Sequence, residues 1–196
     1  MTGNGKKKIV IFSLAIITVI VGVYFFHSKR GYQEGDILFQ VSCSRQSPFI
    51  QQATGSKWSH CGIVVEKDKQ WYVLEASNVV KLTPLKAWIK RGKNGEMKKL
   101  RVLKKPVKIK YGKYLGKPYD LAFKFNNGKW YCSELVYDIY KSQLGIELCQ
   151  PRKISSYKID GLEHVLKKRG MNRDQQVTWS YDQLISIHAS LFKHMF

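Results

Sequence analysis

The sequence predicts one α+β domain preceded by a single transmembrane helix. Three observations lead to this prediction: an unbroken apolar run at Ile9–Phe26, short alternating segments in the first half of the chain, and a helix-periodic apolar segment at Ser133–Leu144. A length of 196 residues accommodates one domain with an appendage. We therefore divide the chain into an anchor, residues 1–30, and a domain, residues 31–196.

The composition is that of a folded chain without a structural metal. Apolar residues make up 44% of the sequence and there are only 5 prolines, which excludes a disordered or low-complexity protein. Four cysteines are too few for a disulfide-stapled domain of this length, and no CxxC pair is present to form a zinc knuckle. We accordingly expect neither a metal nor a cofactor.

The apolar run is typical of a retained signal anchor. Its 18 residues would rise roughly 27 Å as a helix, enough to cross the hydrocarbon core of a bilayer. The bulky residues at 23–27 do not form a signal-peptidase site, which needs small side chains. Three lysines before the run favour a cytoplasmic N-terminus and an external domain, although Lys29 and Arg30 after it make this bias small. The expected location is a single-pass membrane protein with a periplasmic or cell-envelope domain.

The first half of the domain predicts strands around one helix. Gly35–Val41 alternates as a strand, and Ser47–Thr54 is a helix with Ser47 as N-cap and proline at its first position. Two further strands, His60–Val65 and Trp71–Ala76, are joined by a hydrophilic turn. Antiparallel hairpins are therefore expected.

The second half predicts a short helix from Thr83-Pro84 to Lys90, strands at Leu100–Leu103 and Lys105–Ile109, and a long helix at Ser133–Leu144 that Gly145 ends. The remaining segments are a short helix within Ser155–Lys168, a strand at Gln175–Ser180 and an amphipathic helix at Tyr181–Phe196.

Cys132 is the first candidate for chemistry. It follows a turn signal, Asn126-Asn127-Gly128, and begins an apolar-periodic helix. Because a helix N-terminus favours negative charge, a thiol there ionises more readily, and the same amides would stabilise an oxyanion. The alternative is a buried, inert cysteine.

His60 and Glu75 are predicted to face each other in a hairpin. A two-residue turn at Lys67-Asp68 places them directly opposite on one face of the sheet. Glu75 is the only acid in an apolar segment, so it needs a partner. A carboxylate opposite an imidazole would fix its tautomer and stabilise its charged form. Alternatively, Glu75 points to solvent, and a three-residue turn would place it opposite Cys61 instead.

These segments together resemble a known family. Gly35–Phe39, Ser59–Val64, Leu74–Ala76 and Tyr131–Val136 resemble, in this order, the circularly permuted NlpC-type, papain-like cysteine hydrolases of the YiiX-like branch, which are related to lecithin:retinol acyltransferase-like proteins. Leu115–Asp120 also resembles the Gly-x-Pro-Tyr motif that precedes the cysteine in NlpC-type enzymes. The resemblance implies an antiparallel sheet or small barrel packed against helices.

The resemblance implies that Cys132 is the nucleophile, His60 its base and Glu75 the orienting residue of an amidase, with a lipid acyltransferase or phospholipase as alternatives. A second oxyanion donor besides the Cys132 amide is expected, and Tyr119 and Gln40 both remain candidates. Asp36 matches a recurrent family position, where it could serve catalysis or only the strand turn. Cys61 departs from the family pattern, and alternation points it away from His60 into the core.

Several other residues are weaker candidates for function. His164 and His188 lie on predicted amphipathic helices and are expected to be structural. Glu134 would point about 200° away from Cys132 on their helix. Outside the cytosol, Cys43 and Cys149 would be able to pair, but their spacing alone does not show it.

The formal net charge of +20 leaves the partner open at first. Lys90–Lys117 holds 12 basic residues and one acid, as a nucleic-acid binder would, but only two aromatic residues for base stacking. With an anchor nearby, an anionic membrane is the expected partner, besides a small-molecule, peptide or lipid substrate. No nucleic acid is expected. A membrane-tethered binding module with a degenerate site is the rival to an enzyme.

Overall fold

The structure is a computed structural model, and it describes residues 31–178. The predicted anchor and the amphipathic segment at 181–196, which includes His188, lie outside the described residues. Within residues 31–178, no helix is both long enough and apolar enough to span a bilayer.

The described chain is an α+β domain, as the sequence predicts. Its elements run in the order β1 Ile37–Ser42, α1 Ser47–Thr54, β2 His60–Lys67, β3 Gln70–Ala76, β4 Val80–Pro84, α2 Leu85–Arg91, β5 Gly92–Leu100, α3 Cys132–Leu144, β6 Arg152–Lys153, a 3₁₀ turn Ile154–Ser156, α4 Glu163–Lys168 and β7 Gln176–Val177.

Five strands form one antiparallel sheet in the order β4-β3-β2-β1-β5. Alternate side chains of β1, β2 and β3 pack with Leu135, Val136 and Ile139 of helix α3 in the main apolar core. The side chains between these point to the other face of the sheet. On that face, the indole N–H of Trp88 in α2 donates to Glu75. The sheet therefore lies between α3 and α2, and the start of α3 lies near the start of β2.

The β2–β3 hairpin differs from the predicted register. Asp68 and Lys69 are the turn residues, with φ of 51° and 59°, and Lys67 pairs with Gln70. Two consecutive positive φ values are typical of a type I′ turn, which usually carries Asn or Gly. The turn is thus one residue later than predicted, which slides the strands by two residues and keeps each side chain on its predicted face.

Other boundaries also need correction. The N-cap position of helix α1 is Gln46 rather than Ser47, and the Gln46 side chain makes no capping hydrogen bond. Strands β4 and β5 were not predicted where they occur. Of the predicted strand Leu100–Leu103, only Leu100 belongs to a strand, as the last residue of β5, and Lys105–Ile109 is not a strand. In that loop, the N–H of Ile109 donates to the Glu34 carboxylate at 2.8 Å, so a side chain satisfies this donor in place of a neighbouring strand.

Candidate active site

Cys132 is the first residue of α3 and lies at the end of a tightly held loop. Tyr119 and Trp130 form a parallel β-bridge just before it. The Asp120 carboxylate accepts hydrogen bonds from the N–H of Lys124 at 2.6 Å and from the Asn127 amide at 2.8 Å. These contacts fix the loop that leads into the cysteine, and helix α3 continues from it, so its thiol has a defined position.

The Cys132 thiol is surrounded by hydrogen-bonding groups from the start of β2. The thiol and backbone N–H of Cys61 and the imidazole of His60 all lie close enough to act on its sulfur. The hydrogen bond from the Cys61 thiol, opposed by burial and reinforced by His60, lowers the pKa of Cys132 well below its usual value. The site therefore favours a thiolate.

Packing in the core, which is the role expected for Cys61, is therefore only part of what this residue does. The residue does pack in the core, being 4% exposed, but its thiol also lies close to the Cys132 sulfur. A hydrogen bond to the Cys132 thiolate, together with burial, raises the pKa of Cys61 well above its usual value. Cys61 is therefore a thiol donor beside a thiolate.

His60 and Glu75 are hydrogen-bonded, with 2.6 Å between Nε2 and Oε2. In the observed register they are diagonal neighbours rather than directly opposed residues, which corrects the predicted geometry. Gly62 lies between them, and a Cβ there would come within 3.4 Å of the Glu75 Cβ. Because glycine leaves this space open, the imidazole reaches the carboxylate across the strand pair.

Glu75 is fully buried and its carboxylate is satisfied on all sides. Thr83 donates to Oε1 at 2.6 Å, while the Trp88 indole, at 3.1 Å, and the Arg91 guanidinium donate to Oε2. Burial alone would raise the pKa of Glu75, but the contacts with His60, Arg91 and Thr83 lower it to about 2. The carboxylate is thus ionised at neutral pH.

The same contacts keep His60 charged. Burial opposes the charge, but the hydrogen bonds to Cys132 and Glu75 raise the pKa of His60 to about 9. Because the pKa of Cys132 is lowered at the same time, the neutral-pH form of the pair is a thiolate and an imidazolium. Such an ion pair is the activated state of a cysteine nucleophile.

A cleft of about 360 Å³ opens beside His60. Tyr119 lines it, and burial, reinforced by the charge of Cys132, raises the pKa of its phenol well above the usual value. The Gln46 side chain hydrogen-bonds to the Tyr119 hydroxyl. Tyr119 therefore lines the cleft and lies near the predicted nucleophile, which does not itself line it.

Gln40 and Asp36 are engaged elsewhere. Gln40 pairs with His60 across β1 and β2, but its amide donates to the Trp88 carbonyl at 3.2 Å. Asp36 accepts two hydrogen bonds from Arg101, at 2.7 and 2.8 Å, and one from the Gln33 N–H at 2.9 Å. Neither residue lines the cleft beside His60.

The remaining candidates lie apart from this cleft. His164 is exposed on α4 and lines a different cavity. Glu134 lines a third cavity with Trp130 and Tyr137, and burial raises its pKa to about 8. All four cysteines are free thiols, so Cys43 and Cys149 do not pair.

Sequence reasoning missed the outer partners of the site. Thr83, Trp88 and Arg91 hold Glu75, yet they belong to β4 and α2, whose packing on the sheet has no local signal. Trp88 is fully buried on a short helix in which three of the seven residues are basic, and a tryptophan in such a segment was the hint that the sequence offered.

A thiol at a helix N-terminus beside a histidine on an antiparallel sheet is the arrangement of the papain-like cysteine hydrolases, and this is the class to which the fold and the site point. The permuted papain-like amidase enzymes of the YaeF/YiiX, C92 family match residues 31–182, and the chain belongs to this family. It is an enzyme of the cysteine peptidase-like hydrolase kind.

Two relatives from Escherichia coli agree with this assignment. The uncharacterized protein YiiX of strain K12 is 37% identical over 165 residues, which cover 80% of this chain and 81% of the relative. A crystal structure of YiiX from strain O157:H7, described as a metalloprotein, has a TM-score of 0.69 and 34% identity and covers 78% of this chain and 91% of that one. In residues 31–178, no three His, Cys, Asp or Glu side chains cluster so as to hold a metal ion.

Proposed function

We propose that the protein is a membrane-anchored amidase that works through a Cys132–His60–Glu75 acyl-enzyme mechanism, with esters as alternative substrates. The observation that supports this most strongly is the hydrogen bond between His60 and the buried Glu75, with the His60 imidazole close enough to the Cys132 thiol for each to shift the pKa of the other. The substrate class would be a cell-envelope peptide or an N-acyl or lipid compound.

In the proposed reaction, the Cys132 thiolate attacks the carbonyl carbon and a C–S bond forms. His60 then gives its proton to the leaving amine as the C–N bond breaks, which leaves a thioester. In the second half, neutral His60 takes a proton from water, which attacks the thioester and releases the acid. Glu75 keeps the imidazole oriented and stabilises its charged form throughout.

The oxyanion would be held by the Cys132 backbone N–H and the Tyr119 hydroxyl. The N–H lies in the first turn of α3, where amides lack helical acceptors. Tyr119 is favoured over Gln40 because the Gln40 amide already donates to the Trp88 carbonyl. On this proposal, Tyr119→Phe lowers kcat by roughly 10- to 100-fold, somewhat less than the loss of a backbone donor.

Labelling with a thiol-directed probe tests the mechanism. An acyloxymethyl ketone should label wild-type protein at Cys132, fail to label Cys132→Ala, and label His60→Ala much more slowly at pH 7. Cys149→Ala, which removes another buried thiol, is the matched control and should label normally. Equal labelling of wild type and His60→Ala would contradict the proposed pair.

Membrane attachment forms the second part of the proposal. From Arg30 onward the chain holds 30 basic and 14 acidic residues, which favours an anionic surface. A cavity of about 660 Å³ beside Tyr119 is lined by Arg45, Lys129 and Arg169. Full-length protein should bind phosphatidylglycerol vesicles more strongly than phosphatidylcholine vesicles or a single-stranded oligonucleotide, and stronger oligonucleotide binding would contradict this partner.

The orientation of the anchor is also open to test. We propose that the domain lies outside the cytoplasm, since the short N-terminal tail is basic. In spheroplasts, a membrane-impermeant maleimide should then label the exposed Cys43 without lysis. Labelling that requires lysis would place the domain on the cytoplasmic side.

A further inference from the structure

The charged side chains that line the cleft beside His60 are all basic. Besides His60 itself, it is lined by Lys81 and Arg91, and none of the described residues that line it is acidic. The nearest carboxylate, Glu75, is buried with 0% exposure and is already bound by His60 and Arg91. The cleft therefore presents positive charge to anything that enters it.

Lys81 is the cation whose charge is least compensated. It pairs with Glu75 across β3 and β4, but its ammonium forms no ion pair with any residue in 31–178. Arg91, by contrast, gives one of its nitrogens to Glu75 and keeps 41% of its side chain exposed. An anion in the cleft would thus meet one free ammonium and the open part of a guanidinium.

Neutral hydrogen-bonding groups lie beside these charges. The Ser77 hydroxyl is buried at the cleft and has no hydrogen-bond partner among the described residues. Because a buried hydroxyl normally finds a partner, this group is available to a bound ligand. Asn78, the next residue, also lines the cleft and is exposed.

We propose that this cleft binds a carboxylate on the leaving-group side of the substrate, with Lys81 as its main counter-ion. This inference rests on the proposed amidase function. The substrate class is then N-acyl amino acids and peptides cleaved next to a free C-terminal residue. A volume of about 360 Å³ is near the lower end for ligand sites, which suits a single residue rather than an acyl chain.

Two alkylating agents test whether the cleft attracts an anion, and this test does not require the protein to hydrolyse a substrate. Iodoacetate and iodoacetamide both react with a thiolate, which forms an S–C bond as iodide leaves with the electrons of the C–I bond. They differ chiefly in charge, so the ratio of their rates at Cys132 reports the field at the cleft. Lys81→Gln should lower the iodoacetate-to-iodoacetamide ratio roughly 5- to 10-fold at low salt, and Lys81→Arg should restore it.

Lys86→Gln is the matched control, since Lys86 is exposed on α2 and does not line the cleft. It removes the same charge and should leave the ratio almost unchanged. An unchanged ratio in Lys81→Gln, or an equal fall in Lys86→Gln, would overturn the proposal.

The substrate part is tested with N-lauroylglycine and its neutral counterpart N-lauroylglycinamide. Wild type should prefer the carboxylate, and Lys81→Gln should raise KM for N-lauroylglycine with little effect on the amide. A preference for the neutral compound in wild type would overturn the carboxylate assignment. Failure of Cys132 to react with either alkylating agent would instead overturn the proposed amidase function, so the two failures are distinguishable.

Discussion

His60 contacts Glu75 diagonally across two antiparallel strands, with Gly62 in the space between them. A larger residue at position 62 would separate the imidazole from the carboxylate, because its side chain would occupy the same face. The contact through which Glu75 is expected to orient His60 therefore depends on glycine at position 62.

Glu75→Gln should remove the charge that stabilises the His60 imidazolium. We expect kcat/KM to fall about 10²- to 10⁴-fold and the basic limb of the pH profile to move to lower pH. Thr83→Val, which removes only a neutral donor to Glu75, should have a smaller effect. A pH profile that keeps its basic limb in Glu75→Gln would contradict the assigned role.

Cys61→Ala should raise the pKa of Cys132, because the alanine cannot donate to the thiolate. The rate of Cys132 alkylation at pH 5 should fall roughly tenfold, the size expected for a lost hydrogen bond to a charged group. Cys149→Ala removes a thiol from the same core and should leave the rate unaltered. Equal rates in wild type and Cys61→Ala would show that the second thiol has no influence.

Gly62→Val should destabilise the protein by about 2–4 kcal/mol, since even a Cβ would lie 2.5 Å from Val73 Cγ1 and 2.7 Å from the Leu74 carbonyl. Urea unfolding measures the loss. Gly112→Ala, where a Cβ meets nothing within 4 Å, should stay within about 0.5 kcal/mol of wild type. Similar losses in both variants would refute the steric argument.

The stability of the domain should fall at both ends of the pH range. The folded pKa of His60 is raised to about 9, so its contribution is complete below about 6.5 and is lost as pH rises through 9. The folded pKa of Glu75 is lowered to about 2, so its contribution is present above about 4.5 and is lost as pH falls towards 2. Thermal unfolding between pH 2 and 10 measures both limbs, and His60→Ala should flatten the alkaline one.

Asp36 matches a recurrent family position, and the Asp36→Asn variant should show whether this residue serves stability or catalysis. The substitution breaks a bidentate ion pair between the buried Asp36 carboxylate and the partly exposed Arg101, so we expect a loss of about 2 kcal/mol of stability. The pH dependence of Cys132 alkylation should remain that of wild type in the folded variant. A shifted profile would instead assign Asp36 to the reacting groups.

The sequence was most informative where one local pattern determined one element. Cys132 at a helix start and His60 at a strand start both follow from apolar periodicity and turn residues, and the structure brings the two side chains close together. The predicted pairing of His60 with Glu75 also occurs, although the turn is one residue away, because a two-residue slip keeps both side chains on one face.

The remaining features depended on contacts between distant segments. Asp68 and Lys69 adopt positive φ without a glycine to signal it, so the turn was misplaced. Strand β5 reads as a polar loop, GKNGEMKKL, and becomes a strand only because β1 supplies a partner. Nothing near Cys61 in the sequence indicates that its thiol reaches Cys132, since α3 begins 71 positions later.

Strand β5 ends the five-stranded sheet, and its residues include the lysines at positions 93, 98 and 99. The outer edge of a terminal strand offers a row of backbone groups on which a second copy of the same chain could assemble. Like charges along such an edge repel an identical edge before backbone hydrogen bonds form. Part of the large positive charge thus protects the folded domain from edge-to-edge aggregation, a benefit that needs neither lipid nor substrate.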